Sequence, residues 1–174
     1  MGGRLQSCCA AGFTIVELVT VIVLLGILSV AAVSRMVSPS DFAPGMVSSA
    51  ASEQFRLARA LAMSREDTSI SLELRVVGSD WQMRTLTVAD GEVRQELVER
   101  GTTTVVVDNG AFSGAVTTTE TLVLQFDSGG GLVAATLGTT VLDPLLAIRL
   151  TVAGSSMRMI CAYPSGYLLS GDCV

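Results

Sequence analysis

Gly12-Phe13-Thr14-Ile15-Val16-Glu17-Leu18 opens a run that stays almost entirely Val, Leu, Ile, Ala and Gly as far as Ala32. As a helix rising about 1.5 Å per residue, Phe13 to Ala32 spans about 30 Å, the thickness of a bilayer's hydrocarbon core. Glu17 breaks this pattern. An ionised acid in a membrane segment costs about 3 kcal/mol or more, so its presence asks for a functional reason.

Upstream, residues 1–12 are short and mildly basic through Arg4 and the amino terminus, which favours a cytoplasmic location. A Sec signal peptide with Val30-Ala31-Ala32 as its cleavage site competes for this run, but its apolar core would be too long and would carry an acid. Leu5-Gln6-Ser7-Cys8 has the look of a lipoprotein box, yet no hydrophobic segment precedes it. A plain transmembrane anchor leaves Glu17 unexplained.

Downstream, the 174 residues leave room for one small globular domain beyond the apolar run. The formal net charge is −5; the basic residues are all Arg, and there is no His. Lacking His, the chain has no Ser–His or Cys–His nucleophile pair and lacks the commonest metal ligand. Without clustered cations, nucleic acid is not an expected partner. Gly129-Gly130-Gly131 is not a phosphate loop, because no Lys follows and no strand–loop–helix context surrounds it. Asp127 beside it suits a surface turn better than a calcium site. The expectation is a protein that is not an enzyme, with no catalytic, cofactor or metal site.

The periodicity then changes along the chain. Residues 13–38 read as one long helix, in which Gly26 and Ser29 allow close approach of neighbouring helices. Pro39, Pro44 and Gly45 predict a break over 39–45. From Met46 to Glu66, Val47, Ala50, Ala51, Gln54, Phe55, Ala58, Leu61 and Ala62 recur at three and four, which predicts an amphipathic helix packed on a sheet. Glu53, Arg56 and Arg59 fall on its solvated face. Beyond Asp67 the period is two: Ile70, Leu72, Leu74 and Val76 alternate with polar residues. Asp90-Gly91 is a hairpin signal. Turn residues recur at short intervals, so 68–170 reads as mostly antiparallel strands.

Gly12-Phe13-Thr14-Ile15-Val16-Glu17, followed by an unbroken apolar stretch, resembles the class III signal of type IV prepilins and type II secretion pseudopilins. The order of elements further resembles the GspH/FimT-like group of minor pilins and pseudopilins. That likeness is carried by Leu57-Ala58-Arg59-Ala60-Leu61-Ala62, by Leu124-Gln125-Phe126-Asp127-Ser128-Gly129-Gly130 and by Ile148-Arg149-Leu150-Thr151-Val152. The C-terminus is also similar to a minor pilin of the mannose-sensitive haemagglutinin (MSHA) type. The resemblance implies an α+β, pilin-like fold, with a long N-terminal hydrophobic α-helix packed on a C-terminal, mostly antiparallel β-sheet domain. It implies a leader at 1–12, a transmembrane and assembly helix at 13–38, and a periplasmic domain at 46–174.

The same resemblance implies the partners and sites. Prepilin peptidase would cut between Gly12 and Phe13, and the new Phe13 amine would be methylated. Glu17 would pair with that amine on a neighbouring subunit, since a carboxylate buried among apolar helices needs a cation. The alternative is that Glu17 snorkels to the headgroups. Further implied partners are other pilin or pseudopilin subunits, an inner-membrane assembly platform and the lipid bilayer. The chain would start as a single-pass protein of the bacterial inner membrane and move into a pilus or pseudopilus. Some members of the group bind DNA through a basic C-terminal region, but Arg158 is the only Arg after Arg149, so that activity is not carried over. Cys8 and Cys9 would leave with the leader. Cys161 and Cys173 remain, and they resemble the C-terminal disulfide loop of many pilins. Two buried free thiols are the alternative, which suits an oxidising compartment less. The competing functional class is a membrane-anchored binding or adhesin module that never polymerises.

Overall fold

Two antiparallel sheets with one helix laid against both make up most of the chain. The computed structural model describes residues 14–36, 39–65 and 69–173, with side chains from 14–29, 41–65 and 69–173. Two compact units divide it, residues 1–38 and residues 39–174.

In the first unit, α1 (Ile15–Met36) follows from the apolar run. Its side chains are exposed from Ile15 to Leu28. The part with described side chains, residues 15–29, measures about 22 Å at 1.5 Å per residue. Among the described residues no helix is long and apolar enough to cross a membrane.

The second unit begins with α2 (Pro39–Ser64). The break expected over 39–45 is therefore helix. Pro39 takes the first helical position, where a missing N–H costs nothing. Pro44 lies inside the helix, and contacts from elsewhere hold this first part in place. The Ser155 hydroxyl donates to the Asp41 carbonyl at 3.2 Å, and a Cβ on Gly154 would stand 2.9 Å from Pro44 Cγ. Such tertiary contacts override the local preference of the prolines. Ala43, Val47, Ala50, Gln54, Phe55, Ala58 and Ala62 form the buried face of α2. Most of them are small, so the helix sits close to the strands beneath.

The first sheet orders its strands β3-β2-β1-β6-β7-β8, from β1 (Ile70–Val77), β2 (Asp80–Thr87), β3 (Gly91–Glu99), β6 (Leu122–Phe126), β7 (Leu132–Leu137) and β8 (Thr140–Leu142). The second is ordered β11-β10-β9-β4-β5, from β4 (Thr104–Asp108), β5 (Ser113–Ala115), β9 (Ile148–Ala153), β10 (Met157–Ala162) and β11 (Leu168–Ser170). Ile70, Leu72, Leu74 and Val76 of β1 face the core, as alternation requires. Phe55 on α2 meets Phe126 on β6 edge to face, with ring centroids 5.1 Å apart, a geometry worth about 0.5–1.5 kcal/mol beyond area burial.

The chain passes from the first sheet to the second at Arg100–Thr103. Fully buried Trp81 donates its indole N–H to Thr103 Oγ1 at 2.7 Å, and the Arg100 guanidinium lies over the Trp81 ring at 5.5 Å. Buried Gln54 is satisfied from both sides. Its Oε1 accepts from Thr85 Oγ1 and its Nε2 donates to Glu96 Oε2, each at 3.1 Å.

These findings correct the expected fold class. The protein is mostly β, with two antiparallel sheets of six and five strands. A long N-terminal hydrophobic helix packed on a single β-sheet domain is not what the chain forms. The helix on the sheets is α2, while α1 belongs to a separate unit. The physical reason lies in composition. α2 alternates apolar with polar faces and has a sheet-facing side, whereas α1 is apolar all round and has no single face to bury.

Candidate functional site

Two places in the chain carry the site residues read from the sequence: the start of α1 and the C-terminal end of the second sheet. Gly12 and Phe13 lie outside the described residues. Thr14 immediately precedes α1 and caps it. Its Oγ1 accepts from the Glu17 amide at 3.3 Å, and its carbonyl accepts from the Leu18 amide at 3.1 Å. Thr14-Ile15-Val16-Glu17 has the spacing of a capping box, and Glu17 stands in the first turn, where a negative charge suits the helix dipole. Glu17 is exposed. This local role was not read from the sequence, although the Thr-x-x-Glu spacing was there to find.

At the other end, Cys161 and Cys173 are joined in a disulfide with their Cα atoms 5.2 Å apart. Cys161 is fully buried on β10, directly opposite Arg149 of β9. Arg149 reaches two carboxylates, Asp172 in the C-terminal tail at 2.9 Å and Asp108 at the end of β4 at 3.3 Å. The tail is thus held by a covalent bond and an ion pair, anchored on neighbouring strands. Asp172 titrates below the ordinary carboxylate value, first because Arg149 donates to it and then because the Cys173 amide does. Asp108 is also lowered, chiefly by the Gly110 amide, which donates to its Oδ1 at 2.8 Å, with Arg149 adding to the effect against some desolvation. Between them the two acids push Arg149 upward.

Asp127 turns back on its own loop. Its Oδ1 accepts from the Gly131 amide at 2.8 Å, and its carbonyl accepts from Gly130 at 2.9 Å. The turn packs on the loop before β11, where Leu132 N–H donates to the Pro164 carbonyl at 2.9 Å. The junction requires glycine. Gly166 has φ +69°, and a Cβ there would fall 1.7 Å from the Gly130 carbonyl oxygen. Arg59 of α2 lies under this junction, half-buried, with its Nε shielded and without a hydrogen-bond partner. It is therefore not on a solvated face. Glu53 is, and it pairs with Arg94 at 2.9 Å. Among the described residues there is no group of three or more His, Cys, Asp or Glu placed to hold a metal ion.

Comparison with protein-family models, with curated proteins and with solved structures gives no match.

Proposed function

We propose that this chain is a structural minor subunit of a type IV pilus or type II secretion pseudopilus. In this reading prepilin peptidase cuts it after Gly12, and its N-terminal helix joins it to other subunits on an inner-membrane assembly platform. The observation that carries the reading is Gly12-Phe13-Thr14-Ile15-Val16-Glu17 followed by an almost entirely apolar, charge-free run as far as Ala32. The Cys161–Cys173 disulfide supports a domain that matures in an oxidising compartment such as the periplasm. The chain is then first a single-pass protein of the bacterial inner membrane and later part of the fibre.

Glu17 gives the test, and its place in the capping box dictates the control. Glu17→Gln keeps a side chain that serves a capping box but removes the charge. Glu17→Ala removes both. Under the assembly role both variants are processed normally and both incorporate poorly into fibres. Normal incorporation of Glu17→Gln would show that Glu17 serves only the helix start.

A further inference from the structure

A groove of about 770 Å³ runs between the first turns of α2 and the beginning of β10. Phe42, Met46 and Met157 line it, and they are 59%, 56% and 64% exposed. Three large apolar side chains left this open around one cavity mark an interaction surface better than scattered surface residues do.

A free strand edge lies beside it. β11 ends at Ser170, opposite Ile160, and the Gly171 amide makes one more bond, to the Met159 carbonyl at 2.8 Å. The chain then turns away, so that Asp172 meets Arg149 and Cys173 meets Cys161. Met157, two residues before Met159, presents its N–H and C=O to the same side. β11 does not reach it there, while its other neighbour is β9 at Ala153. An open edge of this kind is a template for an added strand.

Charge completes the site. Arg158 lines the groove and is exposed, and it makes no ion pair among the described residues. Every other lining residue is uncharged. We propose that this groove docks an extended segment of another protein chain, added along β10 at Met157, with a carboxylate on Arg158 and an apolar side chain against Phe42 and Met46 on the face that α2 covers, and an apolar side chain against Met157 on the other face. A lipid tail would leave the Met157 backbone groups unpaired, and one cation is too little for a nucleic acid. The inference is independent of the fibre reading.

Gly45 supplies a clean perturbation. It lines the groove within α2, and a Cβ there would meet nothing within 4 Å. Gly45→Phe therefore starts its side chain into open space in the groove, and replacing an interior glycine favours the helix. The full chain in detergent micelles is panned against a displayed library of random ten-residue peptides. The expected result is enrichment of largely apolar sequences that carry an Asp or Glu. Gly45→Phe and Arg158→Glu should each weaken the enriched peptide about tenfold or more, equivalent to one lost charge-assisted contact. Bound peptide should also slow hydrogen exchange at the Met157 amide. No enrichment, enrichment without an acidic preference, or binding untouched by Gly45→Phe would overturn the proposal. So would concentration-dependent self-association that Gly45→Phe abolishes, which would assign the groove to a second copy of this chain.

Discussion

Arg149 binds two acids at once, and both of them feel it. Asp172 and Asp108 have folded-state values depressed below the ordinary 3.8. A depressed carboxylate contributes stability that is present above its unfolded value and disappears as pH falls through its folded value. The window of loss therefore opens near pH 3.8 and extends below it. Thermal unfolding of the wild type should fall across that window, and Asp172→Asn should show a shallower fall together with lower stability at neutral pH. Equal slopes for the two proteins would remove Arg149–Asp172 from the account. Gly166 is the other residue on which local structure hangs. Gly166→Ala has to hold a positive φ, which costs about 1–3 kcal/mol, and it also drives a methyl group into the Gly130 carbonyl. Urea unfolding should register at least that loss.

At the scale of elements, the disulfide and the strands it joins form one clamp. Cys161 and Cys173 are 12 residues apart in sequence, and closing a loop of that size is worth about 2–4 kcal/mol. Cys161→Ser with Cys173→Ser should lower stability by about that amount. It should also free the tail from Arg149, visible as faster hydrogen exchange at Cys173 and Gly171. Alternation in Ile70–Val76 made β1 legible in advance, because every second residue there is apolar and buried. The short strands β5, β8 and β11 were not legible. Each spans three residues, too few for a period to show. The first turns of α2 were unreadable for a different reason. Pro44 and Gly45 argue against a helix locally, and the contacts at Gly154 and Ser155 that favour one come from more than a hundred positions away.

For the whole molecule, the antiparallel strands could be read from turn spacing, but their division into two sheets could not. That division depends on three crossings between the sheets, after β3, β5 and β8; at the first of them, Arg100–Thr103, nothing in the local pattern of Thr103 announces its bond to the Trp81 indole. Likewise Arg59 sits in a helical sequence as any solvated arginine would, yet two distant glycine turns cover it. The functional signal had the opposite character. It lies in consecutive residues from Gly12 to Glu17, so it needs no fold to be seen. In the proposed reading Gly12 would mark a cut, Phe13 would supply an amine, and Glu17 would supply the acid that this amine meets on the next subunit. The capping bond from the Glu17 amide to Thr14 starts the helix within the same short stretch, so on the proposed reading the helix would begin immediately after the cut. Intact mass of the membrane-extracted protein tests this most directly. A chain that begins at Phe13 and carries one methyl group on its amine is the predicted result. A chain still beginning at Met1, or one beginning near Ala32, would contradict it.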